Sequence, residues 1–176
     1  MTSAKIDQLR AAIRDVADFP KPGILFKDIT PVLSNSELLK IAVEAFVDAT
    51  RPLGVSKVIG IESRGFILGA PVALSLGIGF VPVRKKGKLP WECEAISYAL
   101  EYGEATIEMH RDSVQPGEKV VIIDDLLATG GTAKAAISLV SRLGGEVVEA
   151  QFLIELGFLS GRAALGSTAT RSFLVF

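Results

Sequence analysis

Cysteine occurs once in the 176 residues, at Cys93. That excludes an intrachain disulfide framework and a cysteine-based zinc site, and it is compatible with a reducing compartment, the cytoplasm. Histidine also occurs once, at His110, with no partner histidine, cysteine or paired acid nearby, so it reads as structural rather than catalytic. Charge of one sign is missing too: 19 basic residues against 20 acidic ones leave a net charge of -1. A broad polyanion-binding surface is therefore excluded, nucleic acid is not an expected partner, and any cations that serve phosphates must be locally concentrated. No basic-then-apolar leader opens the chain. Instead Ile6, Leu9, Ile13 and Val16 recur at helical spacing between charges, which predicts an amphipathic helix and no signal peptide. The longest uncharged run, the nineteen residues from Gly65 to Val83, has the length of a membrane span but is interrupted by Gly69, Pro71, Gly77, Gly79 and Pro82. A helix followed by a strand at Phe80 to Val83 accounts for it, and no membrane association is expected.

What is present is a high apolar content, 49%, which points to apolar surface buried against a second copy in a homodimer. No repeat, low-complexity tract or charge run divides the sequence, so residues 1–176 are expected to form a single domain. Ser34 with Glu37 suggests a capping box for a helix carrying Leu38, Leu39, Ala42, Val43, Phe46 and Val47, ending near Pro52-Leu53-Gly54. Strands are predicted at Lys57 to Ile61, Phe80 to Val83, Lys119 to Ile123 and Val147 to Ile154, with a helix after the first and third and a long excursion after the second. The alternation implies an α/β fold, a parallel sheet flanked by helices on both faces, whose ligands bind beyond the carboxyl ends of the strands. Between Leu89 and Met109 the texture changes, and Thr106 to His110 alternates with period two, predicting a hairpin or flap. Ser172 to Phe176 reads as an extra strand.

The most specific motif is Val120-Val121-Ile122-Ile123-Asp124-Asp125-Leu126-Leu127-Ala128-Thr129-Gly130-Gly131-Thr132. A buried strand delivers two acids to a glycine-rich turn, and Ala133, Ala136, Ile137, Val140 and Leu143 then continue as one apolar helix face. Backbone N–H groups and the positive end of the helix dipole converge on such a turn and favour a dianionic phosphate, with small residues letting it approach the main chain. The two acids would repel that phosphate, so they are expected to face a neutral, hydroxyl-rich group about one sugar ring away. Neither the P-loop pattern nor the dinucleotide glycine fingerprint fits: no lysine follows the glycines, and the glycines are adjacent. An ordinary strand ending in a polar turn would explain the strand and helix but not the paired acids.

The motif resembles the phosphoribosyl-pyrophosphate (PRPP) signature of type I phosphoribosyltransferases. The stretch Phe19-Pro20-Lys21-Pro22-Gly23-Ile24-Leu25-Phe26-Lys27-Asp28-Ile29-Thr30-Pro31, then Glu62-Ser63-Arg64-Gly65-Phe66, Arg84-Lys85-Lys86-Gly87-Lys88-Leu89-Pro90 and Leu100-Glu101-Tyr102-Gly103, resemble the adenine-specific branch of that family in order and spacing. The match covers nearly the whole chain. It implies a type I phosphoribosyltransferase-like fold with a flexible flap and an N-terminal hood segment, a homodimer, and transfer of the 5-phosphoribosyl group from PRPP to adenine, giving AMP and pyrophosphate in purine salvage. Two alternatives stand beside it: a sister enzyme for hypoxanthine, guanine or xanthine, and a PRPP-sensing regulator without catalysis, the latter disfavoured by the lack of a basic stripe or an added helix-turn-helix region.

Specific roles follow. Glu62-Ser63-Arg64-Gly65 is a second strand-to-helix turn, with exposed N–H groups and a fixed positive charge, suited to pyrophosphate; the resemblance adds a cis peptide around Glu62-Ser63. A surface ion pair between Glu62 and Arg64 is the bland alternative. Arg84, Lys85, Lys86 and Lys88 form a local anion field, and the resemblance assigns Lys85 and Lys88 to PRPP. Ser63, Arg64, Asp124, Asp125, Ala128, Thr129, Gly130, Gly131 and Thr132 complete the expected PRPP set. An extended Leu25-Phe26-Lys27 can lay Phe26 against adenine and offer backbone groups to its edge, while packing in the core is the competing reading of Phe26. Glu101 matches the family glutamate placed near the purine, as general acid-base group, and Tyr102 would close over the site. Mg2+ is expected to bind through PRPP oxygens and water, with no direct protein metal site. Trp91 and Cys93 depart from the family, which commonly carries polar or basic residues at these flap positions.

Overall fold

The computed structural model describes residues 3–19, 21–99 and 104–176. Helix α1 (Ser3–Ala12) packs Leu9 fully into the core, but the helical pattern stops short of Val16. Arg14–Ala17 is instead strand β1, paired antiparallel with β2 (Leu25–Asp28), Val16 opposite Phe26. The reversal between them is tied by Asp18, in the left-handed region at φ 59, whose carboxylate accepts from the Gly23 N–H at 2.7 Å. A β-branched residue beside that turn is more stable paired in a ribbon than in a fraying helix end.

Helix α2 (Thr30–Ser34) carries Pro31 in its first turn, where the missing N–H costs nothing. Helix α3 (Ser36–Thr50) is capped by Asn35, whose side chain accepts from the N–H groups of Glu37 and Leu38 at 3.0 and 3.1 Å. The expected Ser34–Glu37 box is thus displaced by one residue: Ser34 ends α2, and the amide oxygen of Asn35, directly before the helix, takes the free donors, a cap worth about 1 kcal/mol. A 3-10 turn at Arg51–Leu53 and left-handed Gly54 terminate α3.

Then follow β3 (Lys57–Ile61), α4 (Arg64–Leu76), β4 (Gly79–Lys85), β5 (Cys93–Ala99), β6 (Glu104–His110), β7 (Lys119–Leu127), α5 (Gly131–Arg142), β8 (Glu146–Glu155), α6 (Gly161–Ala164) and β9 (Thr170–Val175). The sheet order is β5-β6-β4-β3-β7-β8-β9. Strands β4, β3, β7, β8 and β9 are mutually parallel, whereas β5 and β6 form an antiparallel pair joined to the end of β4. The sheet is therefore mixed, the predicted hairpin being two of its strands. Alternation splits each central strand between two cores: Val58, Val121 and Ile123 face Phe46, Leu68 and Val72, while Ile59, Val120 and Ile122 face Ala136, Leu139 and Val140 of α5. The period-two reading of Thr106 to His110 does not hold in burial, since Ile107, Glu108 and Met109 are all buried. The uncharged run resolves into α4 and β4, and among the described residues no helix is long and apolar enough to cross a membrane.

Candidate active site

Every motif singled out in the sequence that falls within the described residues, apart from the β2 segment, lies where β3, β4 and β7 end. Leaving β3, the chain passes a cis peptide between Glu62 and Ser63 and starts α4 at Arg64. Gly65 lets that start lie flat on β7: an added Cβ would stand 2.7 Å from the Ile123 carbonyl and 3.0 Å from an Asp124 carboxylate oxygen. Glu62 and Arg64 do not pair with each other. Arg64 Nε reaches Asp125 Oδ2 at 2.7 Å, and its guanidinium lies 5.3 Å from the centre of the Phe26 ring. Glu62 instead receives Arg84 Nε at 3.2 Å and the Lys85 N–H at 3.0 Å. Burial pushes the Glu62 carboxyl up, but these bonds and the two cations outweigh it and hold it below the usual range. Arg84 is thereby taken out of the anion field: it also donates to the Lys88 carbonyl at 2.9 Å, and Lys85 is left facing the cavity. That cavity, about 420 Å³, is walled by Glu62, Ser63, Arg64 and Lys85 on one side and by Asp124, Asp125 and Thr132 on the other.

Strand β7 runs on through both acids to Leu127, four residues beyond the predicted end. Gly130, at φ 83, stands at the N-cap of α5, and no side chain caps the helix, so the first N–H groups are left for a ligand. Residues 126–133 with Asp124 enclose a cleft of about 90 Å³. The Thr132 hydroxyl points to Tyr98 of β5, 2.9 Å from its phenol oxygen. The two acids divide. Asp125 is buried and bound to Arg64; Asp124 is half-buried, accepts the Asp125 N–H at 2.9 Å and lines both the cleft and the cavity. Burial and the neighbouring Asp125 push the Asp124 carboxyl well above the usual carboxylate range. Burial also raises Asp125, against the pull of Arg64.

This pairing of a strand-end acid pair with an uncapped helix start can be set beside known proteins. The model of the phosphoribosyl transferase domain matches residues 36–160. An adenine phosphoribosyltransferase of Nocardioides sp. is 56% identical over 173 residues, covering 96% of this chain and 94% of the relative. The chain belongs to the adenine phosphoribosyltransferase family. The crystal structure of the family member from Rhodothermus marinus superposes with a TM-score of 0.94 at 55% identity, covering 99% of this chain and all of that one. The Saccharomyces cerevisiae adenine phosphoribosyltransferase, complexed with adenine and an iminoaltritol bisphosphate, superposes at 0.92 with 39% identity, covering 98% and 99%.

Within this member of the adenine phosphoribosyltransferase family, Ser63, Arg64, Lys85, Asp124, Asp125, Ala128 and Thr132 come together around one cavity, and Thr129, Gly130 and Gly131 join them in the adjoining cleft. Lys88 is exposed and is not among the described residues that line either; its main chain serves the loop. Phe26 is half-buried, edge-on to Phe19 at 5.1 Å. Leu25 is half exposed, and the Lys27 ammonium is turned to Asp15 at 2.5 Å. Glu101 and Tyr102 lie outside the described residues. His110 stands opposite Cys93 in the β5–β6 ladder.

Three features had not been read from the sequence. Glu108 Oε1 accepts the N–H groups of Gly87, Lys88 and Leu89 at 3.0, 3.2 and 3.2 Å, pinning the basic loop; a charge between Ile107 and Met109 on an apolar strand was the available signal. Tyr98 touches Thr132 at the start of α5 from a strand more than thirty residues earlier in the chain, which no local pattern reveals. Gly130 also has a purpose that was not expected: its missing Cβ makes room for the Gly161 carbonyl, 2.4 Å from where that atom would sit, so the glycine seats the loop on α6.

Proposed function

We propose that this chain transfers the 5-phosphoribosyl group of PRPP to adenine, forming AMP and pyrophosphate, a purine salvage step. The observation that carries the proposal is the cavity with Arg64 and Lys85 on one wall and Asp124 beside the uncapped α5 start on the other. The 5'-phosphate rests on the main chain of Ala128, Thr129, Gly130, Gly131 and Thr132, where N–H groups and the helix dipole favour a dianion. The pyrophosphate lies against Ser63, Arg64 and Lys85, with Lys88 approaching from the loop. Asp124 accepts hydrogen bonds from the ribose hydroxyls, and Asp125 holds Arg64 in place while flanking the same ring.

Adenine binds against Leu25, Phe26 and Lys27, the ring of Phe26 on its face and backbone groups at its edge. As the bond from C1' to pyrophosphate breaks, positive charge grows on the ribosyl carbon and the attacking purine nitrogen gives up its proton, which Glu101 accepts. Help of this kind contributes about 10²- to 10⁴-fold. Tyr102 closes over the site and keeps water from the ribosyl cation. Among the described residues no three acids or imidazoles cluster to hold a metal. Mg2+ would be carried by PRPP oxygens and water, with Asp124 and Asp125 the carboxylates able to hold its water ligands, and when bound it would neutralise the leaving pyrophosphate.

The protein acts in the cytoplasm as a homodimer. Support for the dimer comes from α4, where Ile67, Ala70 and Leu74 form an exposed apolar stripe, Leu74 being 83% exposed. Light scattering tests it: a mass of one chain at micromolar concentration rejects the dimer. The activity is tested by mixing protein, PRPP and Mg2+ with each nucleobase in turn. AMP formation with adenine is the expected result; product with 6-oxopurines alone would favour the sister enzyme, and no product with any base would favour a PRPP sensor. Glu101→Leu should lower turnover far more than PRPP affinity, and unchanged turnover would remove Glu101 from the reaction.

A further inference from the structure

We infer that Tyr98 is a positioning residue that fixes the direction of the Thr132 hydroxyl proton and ties the β5–β6 hairpin to the phosphate loop. The inference rests on the reading of Thr132 as a 5'-phosphate ligand. Two contacts place Tyr98. Its phenol oxygen lies 2.9 Å from Thr132 Oγ1, and its ring sits on Gly131, where an added Cβ would be 3.4 Å from Tyr98 Cδ2. The ring also packs against the core under α5, and Tyr98 is paired with Ala105 of β6. It stands between two cavities, one of about 470 Å³ toward α5 and one of about 430 Å³ toward Lys85, and lines both.

The chemistry is decided by the proton count. A threonine hydroxyl has one proton and two lone pairs, and so does a phenol in its donor and acceptor capacity. Without a ligand either oxygen can donate across 2.9 Å. A phosphate oxygen without a proton can only accept, so an anion on Thr132 accepts a hydrogen bond from its O–H, and Tyr98 must then be the donor to the threonine oxygen. The result is a chain from the phenol O–H to the threonine oxygen and from the threonine O–H to the phosphate, each bond polarising the next. A tyrosine held by its ring on Gly131 keeps its hydroxyl aimed at Thr132, so once an anion binds, the phenol supplies the hydrogen bond to the threonine oxygen and the threonine O–H is left to the anion. Because Tyr98 belongs to β5, filling the phosphate site also tightens the hairpin that rises beside the cavity.

The test uses the full chain and two ligands measured by calorimetry: ribose 5-phosphate, which carries the 5'-phosphate, and Mg2+-pyrophosphate, which does not. Tyr98→Phe keeps the ring and removes one hydrogen bond, so ribose 5-phosphate should weaken by about three- to tenfold with an unchanged melting temperature, while pyrophosphate stays within about twofold. In a Thr132→Val background, Tyr98→Phe should cost less than about twofold; in Thr132→Ser the dependence on Tyr98 should return. Hydrogen exchange of the β5 and β6 amides should slow on ribose 5-phosphate binding in the parent and slow less in Tyr98→Phe. Unchanged ribose 5-phosphate affinity in Tyr98→Phe, an equal loss for pyrophosphate, or an additive loss in Thr132→Val each overturns the inference while leaving the phosphate-loop reading intact. Unchanged affinity in Thr132→Val alone overturns that reading, and the inference with it.

Discussion

Gly161 touches no part of the cavity, yet Gly161→Ala should damage phosphate binding more than most changes within it. An alanine Cβ at this position would stand 2.0 Å from the Ala128 carbonyl oxygen and 3.1 Å from the Gly130 nitrogen. Ordinary carbon-to-oxygen contacts begin near about 3.3 Å, so the two segments must separate by more than an ångström. Helix α6 is the better anchored of the two. Arg162 is bound to Glu155 through Nη2 at 2.6 Å and Nε at 3.2 Å, and to the Thr170 carbonyl at 2.5 Å. The displacement therefore falls on Ala128 to Gly130, the segment whose amides we propose hold the 5'-phosphate. A misplacement of about 1 Å in a positioned site can cost about 10²-fold, and the same overpacking should remove about 1–3 kcal/mol of stability, a fall of about 2–4 °C in melting temperature for each kcal/mol in a chain of this size. Calorimetric titration with AMP and a thermal melt measure the two effects on one sample. Gly157→Ala is the control, since its Cβ would meet a methyl of the exposed Val175 at 3.2 Å and should leave AMP affinity as it is. A folded Gly161→Ala protein that binds AMP within about threefold of the parent would refute the packing argument.

Arg64→Met should destabilise the fold by about 2–4 kcal/mol in urea, less than for a fully buried pair because the Arg64 side chain is 35% exposed; a loss below about 0.5 kcal/mol would show that Asp125 does not depend on it. Burial pushes Glu118 up, but hydrogen bonds from the Gln115 N–H, Ser56 and Lys57, with the Lys57 charge, pull it from 4.5 down to about 2. A carboxyl lowered in the folded state contributes stability above its unfolded pKa and loses it as pH falls through the folded one, so Glu118→Gln should cost about 3 kcal/mol at neutral pH. Its melting curve should rejoin that of the parent as the pH falls from 4.5 through about 2, and a pH-independent difference would remove the linkage. Glu108→Gln replaces the charged acceptor of three N–H groups, so it should cost about 1–3 kcal/mol and raise the KM for PRPP more than it lowers kcat. An unchanged KM would separate the loop anchor from Lys85.

The sequence was most legible where one segment determines its own structure. The run from Val120 to Thr132 predicted a buried strand, a glycine-rich turn and a helix, because hydrophobic periodicity and glycine placement act within a few residues, and the order of strands and helices followed from the same signal. What escaped was set by partners distant in the chain. Val16 left its helical pattern because β2 offered it a ribbon partner; Arg84 left the anion field because Glu62, 22 residues away, claimed it; Asp125 turned to Arg64. The paired acids looked equivalent in sequence, yet a single step along the strand pairs Asp125 with Arg64 and leaves Asp124 to line the cleft as well as the cavity. Glycine was also ambiguous: it signals that a side chain would be in the way, and only the fold shows whether the obstacle is a ligand or, as at Gly130, another backbone.

A crystal of the protein with AMP tests the central claim most directly. The phosphate should lie on the N–H groups of residues 128–132 at the start of α5, within hydrogen-bonding distance of Thr132 Oγ1, with the ribose hydroxyls at Asp124 and the base against Phe26. Phosphate density at Lys85 and Lys88 instead, with the α5 start bare, would contradict it.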